Sequence, residues 1–380
     1  MARVEPHIGE CVRNAPQFLV ASWRNTLPDA GCWDALSTRA GEPNPFFERW
    51  FLQPSLAELD RAGRVRLAQL HVDGQLVGLM PLKFRVNYYD RPVPHLSTWL
   101  HANAFCGVPL IAPGFEAMFW SMLLRWIDTK SRFAAFLHLP GLPLDCAPTA
   151  ALVEVTGEDA RPAAAVACEA RALLSSDLSA EDYYAAALPN KKRKELRRQS
   201  RRLAELGEVS VERVHTPDAI ARFAEDFLKL EAASWKGRAG SALASKAKHA
   251  RFFRESLAGA AQLGRVEGLS LQLDGKPVAM LVTLLSPPGS FSFKTAFDER
   301  FARFSPGVLL QKENLDLLER EDIAWCDSCA APDHPMIDHF WRDQRSFVSR
   351  NVAIGSGARR ALGAKLIAYE TRHSEGRVTE

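Results

Sequence analysis

No apolar run in the chain approaches membrane-spanning length, the longest lying near Val278 to Leu285, so no membrane span is expected. Met1 to Glu10 lacks a basic start followed by an apolar core, which makes the cytoplasm the expected compartment. Cys11, Cys32, Cys106, Cys146, Cys168, Cys326 and Cys329 are too few and too scattered for a disulfide framework at this length, and they read as reduced, packed thiols. Cys326-Asp-Ser-Cys329 with His334 and His339 comes near a zinc-knuckle spacing. Residues three apart on a strand face opposite ways, however, so no metal is expected there. A large net charge is missing too, the formal value being +3. That small number hides a local excess: Lys191, Lys192, Arg193, Lys194, Arg197, Arg198, Arg201 and Arg202 crowd Asn190 to Arg202 against the single Glu195.

What is present is ordinary for a globular protein, 47% hydrophobic and 24% charged, and 380 residues leave room for two domains with sizeable cores. A pattern recurs along them. Val65, Leu67, Leu70 and Val72 alternate up to Asp73-Gly74, and Leu76 to Met80 follow; Val266, Leu271 and Leu273 lead in the same way to Asp274-Gly275, then Val278 to Leu281. Asp-Gly between apolar runs is a hairpin signal. After the first hairpin the residues predict a strand at His95 to Leu100, a helix from about Phe115 to Ile127 and a strand at Phe133 to Leu139. After the second they predict a strand at Ser290 to Phe297, a helix from Ser305 to Leu318 and a strand at Ile323 to Cys329. Four elements in the same order make an internal duplication, α/β in class, each half with a mixed β-sheet flanked by helices. The expected division is residues 1–145 as the N-terminal half, an Ala- and Pro-rich linker with at most one short strand at 146–170, 171–350 as the C-terminal half, and a C-terminal tail at 351–380 that reads as an exposed helix or a loose segment. Residues 1–62 read as mostly helical.

Ser290 to Leu318 is where chemistry is expected. Phe291, Phe293, Thr295 and Phe297 alternate with Ser292, Lys294, Ala296 and Asp298, so one strand face is buried and one is free. Ser305 as N-cap, Pro306 and Gly307 then open a helix, with Arg300 and Arg303 just ahead. Such an end gathers unpaired N–H groups and the positive end of the helix dipole, which suits a phosphate; the same residues also make a plain helix start.

Leu188-Pro-Asn-Lys-Lys-Arg-Lys-Glu-Leu-Arg-Arg198, Leu230-Glu-Ala-Ala-Ser-Trp-Lys-Gly-Arg238, Phe293-Lys-Thr-Ala-Phe-Asp298 and Phe304-Ser-Pro-Gly307 closely resemble the CelD/BcsL family of acetyltransferases, linked by name to bacterial cellulose biosynthesis, a branch of the GNAT superfamily. The duplicated layout and basic helix are also similar to the Fem-type transferases, tandem GNAT folds that take an aminoacyl group from tRNA. The resemblance implies a tandem GNAT-like acyl-CoA N-acyltransferase fold. It also implies acetyl-CoA or another acyl-CoA as co-substrate, with pantetheine between Ser290–Phe297 and Ile323–Cys329, and direct transfer to the acceptor. The donor would be held by Phe293, Arg303, Ser305, Pro306, Gly307 and Val308. Two features depart from the family. The usual phosphate loop is Arg/Gln-x-x-Gly-x-Gly/Ala, whereas Arg303 to Gly307 carries one glycine. The second half has only Tyr183, Tyr184 and Tyr369, none placed to protonate a leaving thiolate.

Acyl transfer needs a base and a site that excludes water. Asp298 or Asp327 is the expected base or acceptor anchor and Lys294 the contact to a donor or substrate anion, unless Lys294 and Asp298 merely pair with neighbours. Trp235, Lys236 and Arg238 suit a sugar or an anionic group, or else Trp235 closes a core edge. Arg193 and Arg197 face the acceptor cleft if the Fem-type resemblance holds; the same helix read alone fits a solvated face, a nucleic-acid footprint or a membrane-surface patch. His101, Asn103 and Cys106 stand where the first half would have its donor loop, and no Ser-Pro-Gly follows them. The expected activity is acyl transfer from acyl-CoA to an amine or hydroxyl of a small-molecule or saccharide acceptor, in cell-envelope or exopolysaccharide metabolism, with no DNA partner. The alternatives are a Fem-like aminoacyl-tRNA-dependent transferase, the one case that brings in tRNA, and a non-catalytic binder of an anionic polymer.

Overall fold

The computed structural model describes residues 15–131, 133–332, 334, 337 and 340–374. Met1 to Glu10 and His339, which entered the readings above, lie outside the described residues. The first half runs through strand β1 (Gln17–Ser22), helices α1 (Ala30–Arg39) and α2 (Arg49–Leu59), and strands β2 (Arg66–Val72), β3 (Gln75–Arg85) and β4 (His95–Thr98). A two-residue β5 (Leu110–Ile111), helix α3 (Glu116–Lys130) and strand β6 (Phe136–Pro143) complete it. β1 departs from the mostly helical reading of residues 1–62, because Phe18, Leu19 and Val20 find a partner in β2, over fifty residues on in part. Both Asp-Gly turns form as expected. Asp73 and Gly74, like Asp274 and Gly275, have positive φ at both central positions, the geometry that matches the twist of the strands they join.

The stretch expected as a linker with at most one short strand holds helix α4 (Ala147–Glu158), which was not expected, and most of a long strand, β7 (Ala163–Leu174). The second half continues with α5 (Ala180–Ala187), α6 (Asn190–Ala204), β8 (Val209–Val214), α7 (Pro217–Ala233), the short α8 (Trp235–Arg238) and α9 (Ala247–Gln262). Then come β9 (Val266–Leu273), β10 (Lys276–Ser286), β11 (Gly289–Phe297), α10 (Pro306–Glu313), β12 (Trp325–Asp327), β13 (Asp343–Ala353) and α11 (Gly357–Ser374). The region beyond Arg350, expected as an exposed helix or a loose tail, begins inside a strand and then forms a helix as far as residue 374, so the helix is the alternative present.

All strands join one sheet in the order β1-β2-β3-β4-β6-β13-β7-β12-β11-β10-β9-β8, with β5 beside β3. Five strands of one half are mirrored by five of the other around a central pair. The pair is exchanged: β7 follows the first half in sequence but lies between β13 and β12, while β13 follows the second half and pairs with β6. The sheet is thus continuous across the halves, and so is the core. Phe46 and Phe51 of the first half meet Phe291 and Phe293 of β11 with ring centroids 5.2 to 6.2 Å apart across the cluster. α6 docks by Leu196 and Leu203 into a separate cluster with Leu309 and Leu310 of α10, leaving its cations outside. Among the described residues no helix is long and apolar enough to cross a membrane.

Candidate active site

β11 and β12 run parallel and pair for three residues, Gly289 with Trp325, Ser290 with Cys326 and Phe291 with Asp327. Past that point they part. On its other edge β11 carries a bulge: Ser292 faces Thr283 and Lys294 faces Val282, so Phe293 is an extra residue. A bulge bends its strand and re-aims the side chains beyond it. Phe291 and Phe293 accordingly both enter the core, while Lys294, Thr295 and Phe297 all border the opening, which breaks the strict alternation expected of this strand. The opening is a cleft of about 290 Å³ bordered also by Trp235, Lys236, Cys329, His334 and, from the first half, Phe105.

Lys294 is the cation at the opening that this environment alters. Among the described residues its ammonium has no hydrogen-bond or ion-pair partner; it lies over the faces of Phe293 and Phe105, 5.3 and 5.9 Å from the ring centroids. Burial destabilises the charged form and brings its pKa down to about 8, an effect that Glu231 opposes and Lys236 reinforces. Lys236 is committed elsewhere. Its ammonium donates to the Thr295 carbonyl at 3.1 Å and approaches Glu231 at 3.5 Å, which straps the turn after α7 onto β11. Glu299 completes the strap by accepting from the Trp235 amide at 2.9 Å and from Arg238 at 2.6 Å. Arg238 is therefore an outer tie, whereas the Trp235 ring is half exposed beside the opening.

Neither carboxylate expected as a base borders the cleft. Asp298 caps the 3₁₀ turn Glu299–Phe304, accepting from the Arg300 amide at 3.0 Å, and pairs with the Arg300 guanidinium, which holds it below the usual carboxylate range. Asp327 is 1% exposed, within 3.1 Å of Arg171, and accepts from the Cys329 amide at 2.7 Å. Burial raises its pKa, and it does not border the cleft. Cys329 adopts a left-handed backbone, φ 52°, beside the opening, and burial lifts its thiol well above the ordinary value. Cys326 is buried and does not border the opening; its thiol donates to the Asp327 carbonyl at 3.7 Å.

Arg303 lies in the 3₁₀ turn Glu299–Phe304 and Ser305, Pro306, Gly307 and Val308 open α10, all of them outside the cleft wall. Ser305 occupies the N-cap position but in a left-handed conformation, φ 52°, and its side chain makes no capping bond; its carbonyl receives the Val308 and Leu309 amides instead. The first turn carries no acid. Arg303 lies over the Phe304 ring at 4.7 Å. Arg193 and Arg197 are not brought to the cleft either; they border a different cavity, between α5, α6 and α10.

The gap between β4 and β6 in the first half is the counterpart of this opening. There only Leu96 pairs with Leu137 and Ser97 with His138, and the loop from His101 to Pro109 fills the rest. The Gly107 amide donates to the Gly141 carbonyl at 2.8 Å, and the buried Asn44 amide donates to the carbonyls of Cys106 and Val108. His101, Asn103 and Cys106 are packed here rather than presented: His101 meets Phe51, Trp99 and Phe252, and burial lowers its pKa to about 3.

Residues 190–334 match the acetyltransferase (GNAT) domain. The whole structure is similar to a crystal structure of FemX, with a TM-score of 0.54 at 11% identity over 87% of this chain and 96% of that one. It is similar to L-PGS from Bacillus licheniformis, TM-score 0.52 at 12% identity over 90% and 97%. The C-terminal domain of a lysylphosphatidylglycerol synthetase from Agrobacterium fabrum gives 0.51 at 12% over 90% and 95%. No curated relative matches. The fold is tandem GNAT-like. Within the tandem GNAT-like fold the matched domain holds the open gap, and the first half lies wholly outside the match. Phe105, Ser292, Cys329 and His334 border the opening without having been singled out for it. The Ser292 hydroxyl is buried with no hydrogen-bond partner among the described residues, a signal visible only in three dimensions. Cys329 stood out in the sequence only as a rejected metal ligand, and Phe105 arrives from nearly two hundred residues away.

Proposed function

We propose that the second half transfers an acyl group from acyl-CoA to an amine or hydroxyl acceptor, in the manner of the CelD/BcsL acetyltransferases it resembles. The observation that carries this reading is the parting of β11 from β12 with the unpaired Lys294 at its edge. The pantetheine lies in the opening, with the pyrophosphate at Ser305 to Val308. The acceptor enters past Trp235 and Phe105.

Lys294 takes the role expected of Asp298 or Asp327. With a pKa near 8 it is partly neutral at physiological pH, close to the optimum for a group that must both accept and return a proton. As the acceptor nitrogen attacks the thioester carbonyl, a C–N bond forms and its proton passes to the neutral amine of Lys294. When the C–S bond breaks, the same ammonium protonates the departing thiolate. One residue thereby covers the step for which no tyrosine is placed. Titration calorimetry with acetyl-CoA and longer acyl-CoAs tests the donor class: micromolar binding that Gly307→Leu abolishes supports the reading, and no binding by any acyl-CoA sinks it. The exposed cations of α6 favour a second reading, transfer from aminoacyl-tRNA as the Fem-type resemblance implies; steep salt dependence and a requirement for charged tRNA would select it.

A further inference from the structure

The cavity that holds Arg193 and Arg197 has a volume of about 510 Å³ and lies between α5, α6 and the C-terminal part of α10. Three cations converge on one phenol there. Lys312 sits 5.7 Å from the centroid of the Tyr184 ring, and the charges of Lys312, Arg197 and Arg193 all oppose the rise that burial imposes on the Tyr184 hydroxyl. Two of the cations are uncommitted: among the described residues neither Arg193 nor Arg197 has an ion-pair partner, and the Arg193 Nε is buried without a hydrogen bond. The nearby acids are largely engaged, Glu313 with Lys312 at 3.1 Å and Asp316 with Arg213 at 3.0 Å, while Glu181 stands exposed at the rim. The buried Arg193 Nε–H left without an acceptor costs free energy that an incoming phosphate would recover, and the exposed Arg197 guanidinium stands beside it.

We propose that this cavity binds the terminal phosphomonoester of a nucleotide-bearing donor, the 3′-phosphate of coenzyme A, with Arg193, Arg197 and Lys312 as its cationic wall and Tyr184 as a hydroxyl donor or stacking face. The inference rests on the acyl-CoA reading above and extends it to the far end of the molecule. Geometry supports the placement. Lys312 lies six residues along α10 from Pro306, about 9 Å at the rise of an α-helix, which is the order of the separation between the pyrophosphate and the 3′-phosphate of one nucleotide. α6 also packs against the 3₁₀ turn Glu299–Phe304 that leads into α10, so its cations flank the path between the two sites.

The test compares coenzyme A, 3′-dephospho-coenzyme A and adenosine 3′,5′-bisphosphate for binding to the full chain and to Arg193→Gln/Arg197→Gln, with Lys312→Gln as a second variant that leaves α6 untouched. The expected result is a preference for coenzyme A over the dephospho form of about tenfold or more, lost in both variants while dephospho-coenzyme A binds as before. Equal affinity of the unaltered protein for the two forms overturns the proposal and leaves the acyl-CoA reading standing. Retention of the preference in both variants overturns it as well. Binding of the bisphosphate without binding of coenzyme A overturns the assignment to coenzyme A, because the intact donor then does not reach the cavity. No binding by any of the three overturns both.

Discussion

The two halves repeat one arrangement and differ where it would bind something. In each, a hairpin leads to a strand that begins parallel to another and then leaves it. In the second half the gap stays open, bordered by an unpaired lysine, and the following helix starts without an acid. In the first half the gap is stitched shut through Gly107 and Asn44, and α3 starts with Glu116, whose carboxylate accepts from the Gly114 amide at 2.8 Å. An acid in that position satisfies the orphan N–H and neutralises the helix dipole, so it repels the phosphate that the other half is proposed to hold. Duplication has kept the fold twice and left one copy free to serve as a wall: its contribution to the cleft is Phe105, carried on the very loop that closes its own gap.

Opening the closed half should cost the most. A Cβ at Gly107 would stand 2.0 Å from the Pro140 carbonyl oxygen, so Gly107→Ala must displace backbone. We expect a loss on the order of 3 kcal/mol in denaturant unfolding; an unchanged midpoint would show that the stitch is dispensable. Silencing the open half comes next. Lys294→Met should lower the transfer rate about 10²-fold or more while leaving acyl-CoA binding in place. Since Met removes a desolvated charge, the variant should be no less stable than the parent at neutral pH, which separates lost chemistry from lost folding. Activity within 3-fold of the parent would end the role given to Lys294.

The pH dependence sharpens the same point. A base must be neutral, so kcat/KM should rise through about pH 8 and level off, and the rise should vanish in Lys294→Met. Stability moves in the same direction: the folded pKa lies below the ordinary lysine value of 10.5, the unfolded chain binds the extra proton between them, and this group therefore adds stability as pH climbs from about 8 to 10.5. A flat profile, or one that falls above pH 8, would make Lys294 an anion contact instead. The smallest expected effect is at the helix start of the silent half. Glu116→Gln should lower stability by about 0.5 kcal/mol and leave turnover untouched; a change in acyl-CoA affinity would mean that the first half also meets the donor.

Much of this was legible beforehand. Asp73-Gly74 and Asp274-Gly275 exposed the repeat because turn chemistry is local, and Leu196 with Leu203 fixed which face of α6 docks. The stretch 146–170 misled because Ala-rich sequence has no pattern of its own; it became α4 and most of β7 only by packing against α3 and pairing with β13. Asp298 and Asp327 stood as equal candidates for the base, yet one meets Arg300 two residues away and the other Arg171, more than one hundred and fifty residues back.

By itself the sequence determined the two Asp-Gly hairpins, the strand and helix that follow each of them and the docking face of α6, since period, capping and turn residues act over a few positions. Only the tertiary structure decided that each half lends its last strand to the other, that Phe105 and Lys294 face one cleft, and that Arg193 and Arg197 line another. Those outcomes depend on which distant surfaces can be buried together, and on the bulge at Phe293 that turns β11 aside, quantities that no local pattern encodes.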